Sequence, residues 1–393
     1  MSTANSTVLI VMLIAFLAPL IVEIIPKVSF PSVVMMILLG IVVGPQGLQL
    51  AESTSVVDTL SRIGLSFLFF IAGLEIDLRN IRGRPLTWAL KGWFISLTLS
   101  FLVTLALHYF GFLQRIEFVA AALATTSLGS LLPILKEANL INTRFGLYAT
   151  AGGTVGEVAP LLLMTLVLQP SDEYGSPARS FMLCIVYLLT LLVGSYVALK
   201  VRPPILIRSL RKSIHGGSQL PVRLCLLILT ALTLLSNEMG MESSLGSLSA
   251  GVIVGLALKG ESGEAVRKNL EAIGFGLLIP VFFIRAGLNF DLNTLLHAPG
   301  ALFKVPVFLL LFLLVRGVPA WFCRNELPRG EWIPLALMSS TTLALVVAIT
   351  HLGVITNQMR VDTAVALVSA AMLGKLLFPT FALTLTSKDG AAN

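Results

Sequence analysis

The chain has 393 residues, 56 % of them hydrophobic and only 12 % charged, with a formal net charge of +7 at pH 7. Apolar runs long enough to cross ~30 Å of hydrocarbon recur along its whole length, which excludes a soluble globular fold and leaves no room for a separate soluble domain. In a membrane protein the positive balance belongs to cytoplasmic loops, so lipid is the expected partner and nucleic acid is not.

Apolar length between polar or Pro/Gly breaks predicts thirteen spans: 7–25, 30–47, 56–76, 86–111, 116–135, 144–168, 179–200, 220–236, 241–258, 270–289, 299–322, 332–352 and 361–385. The first has no basic n-region before it and runs past signal-peptide length, so it is read as an uncleaved spanning helix. With the N-terminus outside, eighteen of the 27 Lys and Arg residues fall on the cytoplasmic side. Three, Arg115, Arg179 and Arg360, fall on the other side, and the remaining six lie in or at the ends of spans. This asymmetry predicts an outside N-terminus and a cytoplasmic C-terminus. Cys184, Cys225 and Cys323 lie apart without CxxC spacing, signalling neither a disulfide framework nor a metal site.

The longest cytoplasmic loop, 201–219, divides 1–200 from 220–393, and the same motifs stand on both sides of it. FFIAGLEIDL at Phe69–Leu78 recurs as FFIRAGLNFDL at Phe282–Leu292, with Arg285 as the one insertion. Gly40-Ile-Val-Val-Gly44 recurs as Gly251-Val-Ile-Val-Gly255. An offset of seven spans reverses orientation, so the expected fold is an all-α polytopic membrane protein of about thirteen transmembrane helices in two inverted-topology repeats. Carrying the offset forward sets Thr125-Thr126-Ser127-Leu128-Gly129 opposite Ser339-Ser340-Thr341-Thr342-Leu343. Small hydroxyl residues at matched mid-membrane depth are what a pair of crossed discontinuous helices requires, because hydroxyls satisfy freed backbone groups while half-helix dipole ends face an ion. Ordinary Ser/Thr contact between helices is the competing reading.

Glu157, in Gly152-Gly153-Thr154-Val155-Gly156-Glu157-Val158-Ala159-Pro160, is a lone carboxylate in the sixth span. A charge at that depth costs at least ~2.5 kcal/mol on insertion scales, which marks a functional site; the competing reading is a structural pair with a buried Arg. Arg316 lies deep in the eleventh span and balances either Glu157 or the carbonyl ends of the broken helices. Lys375 is read as nearer the cytoplasmic end and snorkelling, and Arg285 as an interfacial anchor; both are secondary or gate candidates. Arg62 is read like Arg285, and Lys91 and Lys304, near span ends, receive little weight. No His clusters with carboxylates or Cys.

At Phe69–Leu78, Thr125–Pro133, Gly156-Glu157 and Arg316 the sequence resembles the second subfamily of monovalent cation:proton antiporters, relatives of bacterial sodium/proton antiporters and glutathione-gated potassium-efflux proteins. The resemblance covers essentially all thirteen spans. It implies a mobile core carrying two crossed discontinuous helices, here 86–168 and 299–385, and a dimerisation scaffold formed by the other spans. In that family the sixth span carries an ion-binding acidic residue, usually preceded by Asp, Asn or Gln, and the eleventh carries a basic residue. Here those positions read Gly156-Glu157 and Arg316, and Thr125-Thr126 stands where sodium relatives carry a further Asp. Gly156 offers Arg316 no side chain, so Arg316 is expected to turn to Glu157 or to backbone carbonyls. No nucleotide-binding domain is expected after Asn393, unlike in the potassium-efflux branch.

The expected function is exchange of Na+ or K+ for H+ by alternating access. Glu157, Thr125, Thr126, Ser127, Gly156, Thr341 and Thr342 form the ion and proton site, with the cargo cation at Glu157, Arg316 balancing charge and no cofactor. One titrating carboxylate predicts one proton per cation. The resemblance further implies a homodimer, and the setting is a bacterial inner membrane; a separate regulatory subunit is left open. The alternatives are a proton-coupled carrier of a small organic anion on the same scaffold and a transport-inactive homologue. An enzyme is not expected, since HExxH is absent and Ser247-Leu248-Ser249-Ala250-Gly251 misses GxSxG at its first position.

Overall fold

The computed structural model describes residues 2–24, 31–76, 83–167, 219–239, 241, 243–258, 260–298, 300–328 and 330–390. The expected span at 179–200, the loop 201–218, Cys184 and the Asp77-Leu78 end of the first motif lie outside the described residues.

Every regular element among the described residues is helical. The first four helices are α1 (Ser2–Ile24), α2 (Ser32–Val43), α3 (Ser55–Glu75) and α4 (Arg84–Tyr109). The fifth expected span is two pieces, α5 (Glu117–Leu123) and α6 (Leu128–Glu137), followed by α7 (Arg144–Val167). Beyond the undescribed stretch come α8 (Leu220–Glu238), α9 (Ser243–Ala257) and α10 (Gly260–Ile273), which runs through a π-turn at Gly274–Leu278 into α11 (Ile279–Leu288). A short α12 (Leu292–His297) leads to α13 (Ala301–Trp321). The twelfth expected span is again two pieces, α14 (Trp332–Ser339) and α15 (Ala344–Ile355), and α16 (Val361–Gly390) closes the chain.

Nine helical stretches among the described residues are long and apolar enough to cross a membrane, and α2 and α9 are shorter apolar helices. Phe16, Phe94, Leu227, Leu310 and Phe381 are exposed on these helices, an arrangement that suits lipid and would be costly in water.

Two boundaries differ from expectation. The helix predicted at 270–289 begins at Gly260, because the polar turns around Glu264, Arg267 and Lys268 continue it beyond the apolar run. The two interruptions occupy 124–127 and 340–343, so Thr125 corresponds to Thr341, two residues away from the pairing that the motif offset gives.

Contacts divide the chain into two compact units, Met1–Ala15, Ser53–Asp77 and Leu161–Arg285 in the first and Phe16–Glu52, Leu78–Pro160 and Ala286–Asn393 in the second. In the first, α3 lies backbone to backbone on α9: a Cβ on Gly73 would sit 2.2 Å from Leu248 O, and one on Gly251 2.1 Å from Phe70 O. In the second, the end of α11 from Ala286 onward lies on α2 in the same manner, a Cβ on Gly287 falling 2.2 Å from Ile37 O and 2.9 Å from Gly40 Cα. The glycine of each repeated AGL motif thus meets the GxxxG helix of the other half of the sequence, the close approach that small-xxx-small faces permit.

The first unit's core gathers Phe67, Phe70, Leu229 and Val254. The second unit's gathers Leu131, Phe145, Leu335 and Met338, which fix α6, α7 and α14 around the two interruptions.

Candidate ion-binding site

The site begins with a proline. Pro160 in α7 has no N–H, so the carbonyl of Gly156, four residues earlier, loses its helical donor. Thr126 N, in the break between α5 and α6, donates to that carbonyl at 2.9 Å. Pro319 in α13 likewise frees Val315 O, which accepts from Ser96 Oγ of α4 at 2.8 Å. Two interior prolines therefore create two acceptors at which neighbouring elements dock.

The two interruptions meet each other. Thr125 Oγ1 and Thr342 Oγ1 are 2.8 Å apart, Ser127 N donates to Thr341 O at 3.0 Å, and Thr126 Oγ1 donates to Ser339 O at 2.6 Å. Thr341 Oγ1 turns back along α14 to Leu337 O at 3.3 Å. Thr125, Thr126, Thr341 and Thr342 are all buried. Hydroxyls and amides of one break thus satisfy backbone groups that the other has freed, as buried backbone requires.

Arg316 of α13, also buried, lies over Gly156. Its Nε donates to Thr126 Oγ1 at 2.8 Å and to Ser339 O at 3.5 Å, Nη1 to Ser96 Oγ at 3.2 Å and Nη2 to Gly152 O at 3.3 Å. All four acceptors are neutral oxygens, and Ser339 O belongs to the carbonyl end of α14, where a cation is favoured. A Cβ at residue 156 would fall 2.7 Å from Arg316 Nη2 and 2.7 Å from Thr126 Cβ. Gly156 is the space the guanidinium needs. In place of Glu157, Arg316 takes two backbone carbonyls, Ser339 O and Gly152 O, and two hydroxyls, those of Thr126 and Ser96.

Glu157, the next residue on α7, is 3 % exposed. Its Oε2 accepts from Leu128 N at 3.0 Å, at the first turn of α6, where unsatisfied amides and the helix dipole attract negative charge. Lys375 of α16, expected to snorkel, is instead buried and attracted electrostatically to Glu157. A buried carboxylate, a helix N-terminus and a buried ammonium are thereby brought together, with the neutral Thr125–Thr342 contact at the adjoining breaks.

Arg285 is not part of this group. Its Nε lies 2.5 Å from Asp58 Oδ1, which pins α11 to the first turn of α3 within the first unit. Two features escaped the sequence reading. Ser96, Ser100 and Thr104 form a fully buried hydroxyl stripe along α4, whose i, i+4, i+8 spacing was the available signal. The other is a buried ion pair, Lys304 Nζ to Asp362 Oδ2 at 2.9 Å, joining the start of α13 to the start of α16. Both partners stand at span ends, where charge looks interfacial.

Fold and site define a polytopic helical membrane protein with paired broken helices beside a buried carboxylate, an architecture found in secondary transporters. The chain belongs to the sodium/hydrogen exchanger transmembrane family, whose model matches residues 12–383; this is a family of transporters. It is 27 % identical over 396 residues to YjbQ of Bacillus subtilis (strain 168), whose name proposes Na(+)/H(+) antiport, covering 96 % of this chain and 62 % of that protein. A Na(+)/H(+) antiporter of Enterococcus hirae is 28 % identical over 276 residues, 67 % of this chain and 68 % of the relative. The glutathione-regulated potassium-efflux system protein KefC of Shigella sonnei (strain Ss046) is 26 % identical over 348 residues, 84 % of this chain and 53 % of KefC. The chain thus spans less than two thirds of the length of YjbQ and KefC. Among solved structures, the sodium proton antiporter MjNhaP1 from Methanocaldococcus jannaschii at pH 8 shares the fold, with a TM-score of 0.67 at 16 % identity over 98 % of this chain and 97 % of that one.

Proposed function

We propose that the chain exchanges a monovalent cation, Na+ or K+, for H+ by alternating access, with Glu157 binding proton and cation in turn. The observation that carries this reading is a carboxylate only 3 % exposed, held by an amide at the opening of a broken helix. The cation takes oxygen ligands, Glu157 supplying charge and the breaks around Thr125, Ser127, Thr341 and Thr342 supplying neutral oxygens. Thr126 and Gly156 serve the site indirectly, as the seat of Arg316. Arg316 balances the carbonyl end of α14, and Lys375 is a secondary charged residue near Glu157. Arg285 stabilises the scaffold. An empty, ionised site moves poorly, so the carrier crosses loaded and exchange results, one proton per cation and electroneutral.

The reciprocal Gly73–Gly251 and Gly287–Gly40 contacts support two inverted repeats, with 86–168 and 299–385 as the moving core and the remaining spans as the scaffold of a homodimer. The Lys/Arg asymmetry supports an outside N-terminus and a cytoplasmic C-terminus in a bacterial inner membrane. No enzymatic step and no cofactor enter this reading. The organic-anion alternative needs an available midplane cation, whereas Arg316 is bound to four neutral oxygens and Lys375 is attracted to Glu157.

Purified protein in proteoliposomes with an internal pH dye tests the proposal. Adding Na+, K+ or Li+ should move protons with no membrane-potential signal. Anion-dependent, cation-independent flux would transfer the site to the alternative, and no flux with any ion would mark a transport-inactive homologue.

A further inference from the structure

Glycines crowd this site, and all but one are accounted for by contact. A Cβ on Gly152 would lie 3.2 Å from the Trp88 ring, one on Gly153 3.1 Å from Leu128 Cδ1, and one on Gly156 2.7 Å from Arg316 Nη2. Gly129 is different: among the described residues, outside its own helix backbone, no heavy atom lies within 4 Å of where its Cβ would be. It sits in the first turn of α6, with no positive φ to require glycine, and a glycine weakens a helix relative to alanine. Neither backbone conformation nor crowding explains it. Thr125, Thr126 and Leu128 just before it are fully buried and Ser127 is 5 % exposed, whereas Gly129 itself is half-buried. It is also one peptide unit, ~3.8 Å, beyond Leu128, whose amide holds Glu157 Oε2 at 3.0 Å.

We propose that Gly129 is the bare wall of the aqueous path by which protons and hydrated monovalent cations reach Glu157, and that the missing side chain sets the width of that path. This rests on the reading of Glu157 as the exchange site. A partly hydrated cation approaching the carboxylate passes over the half-buried backbone at residue 129, and a side chain there would project into ground beside the Leu128 amide that no described residue occupies. Because no described residue fills that space, such a side chain obstructs ions without disturbing the packing around it.

Two arms test this in the full chain. In the native background, Gly129→Ala, Gly129→Val and Gly129→Leu should slow exchange progressively, by at least tenfold for Leu, while the thermal unfolding midpoint stays within about two degrees of wild type or rises. Undiminished exchange in Gly129→Leu, or loss of stability in step with loss of exchange, would overturn the proposal. In the second arm, Gly129→Cys in a chain with Cys184, Cys225 and Cys323 replaced by alanine is treated with a membrane-impermeant cationic methanethiosulfonate in oriented vesicles. Labelling from one face, slowed by Na+ or K+, is expected. A thiol that resists the reagent from both faces, or labels with no effect of either cation, contradicts the path. Wild type and Glu157→Gln run beside these: absent exchange in wild type, or full exchange in Glu157→Gln, removes the exchange reading itself, while the labelling arm still judges access at Gly129.

Discussion

Thr126 and Gly156 are joined by one hydrogen bond, Thr126 N to Gly156 O at 2.9 Å, and it exists because Pro160 cannot donate to that carbonyl. The broken helix is thereby docked onto α7 one residue from Glu157. Pro160→Ala restores a competing N–H. Since proline in a helix interior costs ~3 kcal/mol, the unfolding midpoint should hold or rise. Exchange should slow roughly three- to tenfold, the worth of one hydrogen bond. Thermal unfolding measured beside initial exchange rates checks both signs, and unchanged exchange would show that the Thr126 contact is dispensable.

Gly156 and Arg316 share one volume. Gly156→Ala forces a methyl group to 2.7 Å from Arg316 Nη2, overpacking worth about 1–3 kcal/mol. In an Arg316→Ala background that clash is relieved while the one with Thr126 Cβ, also at 2.7 Å, remains, so Gly156→Ala should cost about 1 kcal/mol less there than in wild type. A double-mutant cycle of unfolding free energies is expected to show coupling of about 1 kcal/mol or more. Additive losses would mean the two residues do not compete for space.

The Lys304–Asp362 pair is asymmetric in its support. Asp362 Oδ1 also accepts from Arg360 Nε at 3.1 Å and from Thr363 N at 2.8 Å, whereas among the described residues Lys304 has beyond Asp362 only Thr363 Oγ1 at 3.2 Å and the Phe112 ring at 5.6 Å. Removing one member of a buried pair costs about 3 kcal/mol or more. Asp362→Leu should therefore destabilise more than Lys304→Met, and the double variant less than Asp362→Leu alone. Denaturation of the three variants gives the order.

Asp291, outside the spans, caps α12: its carboxylate accepts from Thr294 N at 2.9 Å, Thr294 Oγ1 at 2.6 Å and Gln46 Nε2 at 3.0 Å. Burial pushes this carboxyl up, but the Thr294 and Gln46 hydrogen bonds outweigh it and hold the group below the usual range. A depressed carboxyl adds stability above the unfolded value of ~3.9 and loses it as pH falls through the folded value. Wild type should thus exceed Asp291→Asn in unfolding midpoint above pH about 5, with the gap closing below about 4. A gap independent of pH would contradict this capping role.

Apolar run length located the spans because hydropathy responds to what lipid demands of a helix surface. Glu157 stood out because a lone charge in hydrocarbon is rare, and the Thr/Ser runs marked both interruptions. The two-residue shift between motif offset and break alignment was not legible, since small-residue motifs report helix contacts rather than where hydrogen bonding stops. Arg316's destination depended on the void at Gly156, which becomes a seat only once α13 crosses α7. The stretch 260–269 read as a loop because its residues are polar, and polarity alone does not end a helix. Lys375 read as snorkelling because chain position shows depth but not what surrounds the side chain.

The central claim is that one carboxylate is shared in turn by H+ and a cation. Proton release in weakly buffered detergent solution, measured as Na+ or K+ is added to purified protein, tests it most directly. The account predicts about one proton released per cation bound near the pH of half-occupancy, and no release from Glu157→Gln. Cation binding without proton release in wild type, or undiminished release in Glu157→Gln, would contradict it.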